Sequence, residues 1–465
     1  MYKKKLLLIS LAMINSSYGV VLNNSTTDLI SKKAYGPRSN SFGSIGLQNN
    51  QLVEEVGNVV GNKYFGDINI GYNSDASYMG EKGLVGESEF KARINDTGNL
   101  MFSAPNLYIG KNLSNSSFAI GRKVVNWSQA DANWGLGRLN NRINFELIDP
   151  GQEGLTGVHY DLKIGKYISF GFFGSVLNVP ELNPSLDINE SKGTVSCSNP
   201  WCKAPAESAP IEGAEVPIFY NVNMPEISDV ALKNSYGLNF MLNSDYDGKQ
   251  DVALKGNVFY VRKPENTLSI TAEVKYEIEE QRVFVDVTPE VYYHDVSGGN
   301  VQLDLKNSNI KINGGFISIV PEDSPDGTQR LFDYTGLRPN KIREDYVNGS
   351  ISYSSKFFNL TTGYIARVSE FDRENDILVE YPRWNQAVQL NVESKLTDRI
   401  GFYLDYKYDM LTEDRITMFQ SNYRFDNGVV AGLGFNIIGT NTSQDSYWSD
   451  FENNDSVYSS LKYIF

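Results

Sequence analysis

Large apolar and polar side chains alternate with a period of two along most of this chain. In 268–278 the apolar set is Leu268, Ile270, Ala272, Val274, Tyr276 and Ile278, set against Ser269, Thr271, Glu273, Lys275 and Glu277. Val301, Leu303 and Leu305 alternate with Gln302, Asp304 and Lys306; Val388, Leu390 and Val392 alternate with Gln389, Asn391 and Glu393. Near the front, Phe90, Ala92 and Ile94 alternate with Glu89, Lys91 and Arg93. The final stretch puts Leu461, Tyr463 and Phe465 on one side of a strand and Ser460, Lys462 and Ile464 on the other. Successive side chains of a strand point to opposite faces, so each segment has one apolar and one polar face.

The periodicity predicts nineteen strands between 64 and 465, among them 267–278 and 282–295. A soluble sandwich buries its apolar faces between two sheets; a transmembrane barrel turns them to lipid and its polar faces to a lumen. Three features favour the barrel. Segments such as 400–412 and 415–426 match the 9–11 residues that cross a bilayer at a tilt. Short turns (397–399, 426–428, 306–309) swap with long connectors (321–342, 368–382, 442–454), the asymmetry of outer-membrane barrels. The last strand runs to Phe465, as expected of a strand that closes the wall onto the first. The expected fold is all-β, a transmembrane antiparallel up-and-down β-barrel. Single-chain barrels have even strand numbers, so either one of the nineteen is surplus or a strand hides in 40–60; the expected number is about 18, with 16 and 20 open. A barrel this wide leaves an aqueous lumen. Residues 20–62 do not read as wall and are expected to form a periplasmic arm or plug, which leaves 63–465 for the barrel.

The beginning of the chain fixes the compartment. Lys3, Lys4 and Lys5 precede an apolar core from Leu6 to Ile14, and Ser17 and Gly19 are small residues at the −3 and −1 positions of a cleavage site. This is the pattern of a secretory signal peptide over 1–19, too short to span a membrane as a helix. Loss of its three lysines takes the formal charge from −14 to −17. An acidic chain argues against a nucleic-acid partner. Aromatics make up 12% of the residues, with 28 Tyr and 24 Phe, a composition that suits strands and belts. His159 and His294 are the only histidines and neither lies in a catalytic or metal motif, so no enzyme, cofactor or metal is expected.

The terminal pattern of Leu461, Tyr463 and Phe465 resembles the assembly signal of Gram-negative outer-membrane β-barrels. That resemblance implies an outer-membrane location, contact with lipid and lipopolysaccharide, and recognition of the last strand by the barrel-assembly machinery. In length the chain resembles the porin and substrate-specific channel group, in which homotrimers are common. A shorter stretch, GRKVVNWSQADANWGLGRLN (121–140), resembles the Gly-Arg-then-Trp strand of alginate-export-like barrels.

Two regions carry the candidate site. Seven of the 16 prolines lie in 180–234, so this segment is no part of the wall. It is an extracellular loop, and its apolar Val216-Pro217-Ile218-Phe219-Tyr220 favours folding into the pore. Its Cys197 and Cys202, five positions apart on an exported chain, favour a local disulfide over a metal site, which would need more ligands. The 128–152 connector carries Arg138 and Arg142, with Arg122 and Lys123 in the strand before it. Set across a lumen from Glu207, Glu212 and Glu215, these cations would make a transverse field at a constriction; the alternative is a loop held by ordinary ion pairs. Mixed charges on the inner faces suit a channel for passive or substrate-specific passage of small hydrophilic solutes. The alternative is a surface-structural, adhesive or complex-forming barrel with an occluded lumen.

Overall fold

The computed structural model describes residues 41–53, 64–74, 83–95, 100–143, 147–148, 150–181, 183, 186–197, 199–211, 213–244, 250–322, 329–331, 334–337, 341–369, 381–441 and 445–464. Alternation of the kind seen in the sequence builds one antiparallel wall from Ser41 to Ile464. Two of its nineteen segments, Leu100–Ser103 and Leu107–Asn112, pair end to end with the same neighbour, Gly83–Asn95, so the wall has eighteen staves. Between them Ala104, Pro105 and Asn106 bulge out of the ladder, where proline's missing N–H costs nothing. The first stave, Ser41–Leu52, pairs with both Tyr64–Ser74 and Ser456–Ile464. That seam closes the sheet and leaves no edge, which lipid requires.

Parity sorts the side chains. Across the seam Ile45 faces Tyr463 and Leu47 faces Leu461, and all four are about half exposed on the outer surface. Gln48 opposite Ser460 and Gly46 opposite Lys462 point inward, with Gln48, Ser460 and Lys462 buried. Phe90, Ile94 and Val301 also face out, as the period predicts. A closed wall with an apolar exterior and a polar interior is built for a bilayer. Short turns lie at the end that holds Ile464; at Phe425–Gly428 the chain reverses through Gly428 at φ 86°. Long connections crowd the other end, which is therefore extracellular.

Three expectations are corrected. The segments 267–278 and 282–295 are not wall: Ser269–Glu277 and Arg282–Glu290 form a hairpin in a second, six-stranded sheet built from the outer connections. Only from Tyr293 does the chain rejoin the barrel, as Tyr293–Leu305. The arm or plug expected over 20–62 is also overturned in part, because Ser41–Leu52 is the closing stave. Two surplus strands and one hidden strand turn nineteen into eighteen. Finally, the apolar run of 180–234 that was expected to enter the pore does not. The run, Val216 to Tyr220, lies within the strand Ala214–Val222, which pairs in parallel with Arg282–Glu290 and packs against Val283 and Val285 in the outer sheet. A two-faced sheet satisfies these apolar side chains outside the barrel, so they need no lumen. Residues 1–19 and Phe465 lie outside the described residues.

Candidate functional site in the lumen

The segment that enters the lumen is 124–154. It leaves the wall at Lys123, the end of Ser116–Lys123, and rejoins it at Leu155. The bulge anchors both ends: Val124 N–H donates to Asn106 Oδ1 (2.9 Å) and Gly154 N–H to the Pro105 carbonyl (3.0 Å). The two ends pass so closely that a Cβ on Gly154 would sit 2.3 Å from the Lys123 carbonyl carbon.

Inside, Ser128 caps a short helix, Gln129–Trp134, by accepting from Asp131 N–H at 3.2 Å, and Gly135 ends it in the left-handed region at φ 59°. Buried Asp131 then accepts from the N–H groups of Arg138 (2.6 Å) and Leu139 (3.3 Å). Wall asparagines hold the entry. Asn257 and Asn300 donate to the Trp127 carbonyl at 2.8 and 2.6 Å, Asn300 accepts from Gln129 N–H at 3.1 Å, and Asn257 donates on to Asn239 at 2.9 Å. Each buried amide finds a partner, so this ladder fixes the segment without exposing polar atoms to apolar neighbours.

Aromatic packing completes it. All five tryptophans (127, 134, 201, 384 and 448) belong to one buried cluster. Trp384 stands edge-on to Trp134 with centroids 5.9 Å apart, donates its indole N–H to the Trp134 carbonyl at 3.0 Å, and lies 5.6 Å from Trp448. Trp448 donates to the Arg383 carbonyl at 3.2 Å, beneath the Arg383 guanidinium at 5.0 Å. Trp201 brings the 180–234 connection to the same cluster, against Phe451. Tryptophan usually marks the lipid interface of a membrane protein; here it packs inside the extracellular half. Within the segment a cavity of about 80 Å³ lies among Asp131, Trp134, Asn140, Arg142, Gln152 and Arg383, room for a few waters.

The sequence-predicted cations are here, but their partners differ from those expected. Arg122 is bound by Glu153 and by Thr156 Oγ1 (3.2 Å), and Lys123 pairs with Asp161 at 3.5 Å. Arg138 pairs with Glu344. Arg142 donates to the Gly135 and Leu136 carbonyls and lies 3.6 Å from Glu181. Glu207 and Glu215 are exposed in the outer sheet, where Glu215 accepts from Ser208 at 2.7 Å, and Glu212 lies outside the described residues. Among the described residues, Glu207 and Glu215 thus do not face these cations across the lumen, since the strands Ser208–Ile211 and Ala214–Val222 pair in the outer sheet. Cys197 and Cys202 are joined as a disulfide.

Asp414, in the outer turn after Asp409, ties that turn to the outer connection that carries Trp448: Thr412 and Ser446 hydroxyls donate to it at 2.7 and 2.9 Å. Burial raises its carboxyl above the usual value, and the neighbouring Asp409 charge adds to that. A carboxyl with a raised folded pKa supports the fold below the unfolded value, near 3.9. That support is lost as pH rises through the folded value. Asp414→Asn is therefore expected to narrow the difference in thermal midpoint between pH 4 and pH 7; an unchanged difference would show that Asp414 does not carry it.

The wall residues of the cluster come from the staves Leu155–Ile164 round to Val429–Gly439. The remaining arc is different: Gly83–Asn95 and Ser116–Lys123 turn charged side chains inward. Lys91 pairs with Glu89 at 3.0 Å and, like Lys123 and Asp161, keeps part of its side chain exposed. Parity in the sequence places Glu89 and Lys91 inward, but it does not reveal Asp161, the tryptophan cluster or the asparagine ladder, because neither a tryptophan in a connector nor an asparagine in a strand carries a signal of the partner it meets across the lumen.

The closed wall, its apolar exterior and its filled polar interior define a Gram-negative outer-membrane β-barrel. No family model matches the chain, and no curated protein matches it. Among solved structures it is similar to OpdQ of Pseudomonas aeruginosa (10% identity, 91% of this chain and 96% of the other, TM-score 0.44). It is also similar to OmpF of Salmonella typhi (9%, 91% and 97%, TM-score 0.40). A third is Wzi of Escherichia coli, a carbohydrate-binding β-barrel involved in group 1 capsule assembly (9%, 94% and 86%, TM-score 0.41).

Proposed function

We propose that the protein is a porin-like channel that passes small hydrophilic solutes along an eccentric path, between the inward segment and the charged arc of the wall. One observation supports this: the wall side of the aromatic cluster lies on the staves from Leu155–Ile164 to Val429–Gly439, while Lys91 and Lys123 on the charged arc, and Asp161 beside them, keep part of their side chains open to solvent. A narrow slot lined by both signs lets small polar solutes pass and discriminates weakly between ions. On this proposal the last strand, with Leu461 and Tyr463 outward, is read by the assembly machinery, and the native species is a homotrimer, which the mass of the detergent-solubilised protein tests.

Single-channel recording of the refolded protein in a planar bilayer tests the passage. Small, stable steps with a reversal potential near zero in a salt gradient are expected, and Lys91→Glu with Lys123→Glu should move the reversal potential toward cation preference. Silence from folded, heat-modifiable protein would sink the channel and favour an occluded barrel whose outer sheet is the working surface.

A further inference from the structure

The lipid-facing belt does not end at one level around the barrel. On Val252–Pro264 the outward residues Val252, Leu254 and Val258 are apolar and exposed, and are followed by Tyr260 and Arg262. Arg262 pairs with Asp295 and with Glu322, each at 3.2 Å, on the next two staves. An aromatic ring followed by charges marks the level where a barrel wall leaves the hydrocarbon. Tyr236 on the preceding stave stands opposite Arg262 in register. Beyond Tyr236 this stave meets exposed Asn234 and half-buried Lys233, but on its partner, Ile168–Ser175, the outward positions run from Phe172 through Gly174 to Val176 with no polar residue among them.

Instead, the connection above the hairpin of Ile168–Ser175 and Ser235–Asn243 exposes Val176, Leu177, Met224, Ile227 and Leu232. Ile227 is 85% exposed and Met224 72%, more than the lipid-facing Phe172 and Leu238 below them. The patch is held firmly. Asn178, next to Leu177, donates its N–H to the Ala231 carbonyl at 2.7 Å and its side chain to the Val230 carbonyl at 3.5 Å. Leu232 N–H closes onto the Ser228 carbonyl at 3.0 Å. The last carbonyls of the short helix Ile227–Ala231 are thus satisfied within the protein and need no water, a requirement for backbone that approaches a bilayer.

We propose that this patch seats in the outer leaflet, at the boundary of acyl chains and headgroups, and extends the membrane contact of the barrel locally upward. Its occupant is lipid because the patch continues the belt from Phe172 through Gly174 to Val176 and Leu177 without a polar break on the outward side, whereas the staves from Val252–Pro264 onward turn charged at the register of Tyr236. Glu226, Ser228 and Asp229, exposed on the same short segment, supply the polar side that meets headgroups.

The native thiols are joined to each other, so Ile227→Cys adds a unique labelling site. An environment-sensitive nitrobenzoxadiazole label there is read in phosphatidylcholine vesicles with and without a doxyl group at carbon 5 of the acyl chain. Asp187→Cys, in the exposed hairpin Leu186–Asn189, is the reference. Loss of fluorescence to the doxyl lipid at 227 but not at 187, with weak quenching by aqueous iodide at 227, is the expected result. Iodide quenching at 227 equal to that at 187 would place the patch in water. Shielding from both quenchers would place it between copies of the protein. Either result overturns the proposal.

Discussion

A variant lacking residues 128–150 is expected to conduct in steps severalfold larger than the intact protein. The deleted stretch supplies Ala130, Trp134, Leu136, Leu139, Leu147 and Ile148 to the core inside the barrel. Among its described residues none pairs with a wall stave: Asn141–Ile143 pairs with Gly151–Glu153, just beyond the stretch. The eighteen-stave wall therefore keeps its hydrogen bonds when the segment goes, and a wall of that width encloses water. Heat-modifiability on gels checks closure, and single-channel recording reads the step size. Equal steps in the two proteins would show that the constriction lies elsewhere. Large steps from the variant with silence from the intact protein would mean that the plug seals the lumen completely.

Trp384→Ala tests the same plug without shortening the chain. Trp384 is 1% exposed, touches both Trp134 and Trp448, and satisfies the last carbonyl of the inner helix. Truncating a buried tryptophan costs about 3–5 kcal/mol. If that loss falls on the plug alone, its open population rises by about two to three and a half orders of magnitude. Hydrogen exchange locates the effect: amides of Gln129–Trp134 should lose protection while those of Arg415–Arg424 in the wall keep theirs. A uniform loss across the wall would show that the cluster stabilises the whole barrel and is not a separable plug.

These outcomes depend on features that were legible to different degrees. The wall was legible because its signal is local. A strand with lipid on one side must alternate, and Phe90, Ile94, Val301 and Leu461 did so and face out. The hairpin Ser269–Glu277 with Arg282–Glu290 alternates equally well, since any sheet with one covered face does, and it was read as wall for that reason. Ser41–Leu52 enters the sequence reading only through the need for an even strand number, as a strand hidden in 40–60, because its inward residues are Ser44, Gly46, Gln48 and Asn50 and only Ile45 and Leu47 show the period strongly. For the 180–234 connection, apolar content was correctly seen as needing cover, but the cover is a second sheet.

By itself, then, the sequence determined the all-β class, the two-faced strands and the inward parity of Glu89, Lys91, Arg93 and Lys462. Each follows from spacing within a dozen residues. Only the tertiary structure decided which connection enters the lumen, that all five tryptophans meet there, and that Arg122, Arg138 and Arg142 are neutralised by Glu153, Glu344 and Glu181. Those partners lie 31, 206 and 39 residues away in sequence. A side chain's neighbours across a closed barrel are set by register and closure, and no local period records them.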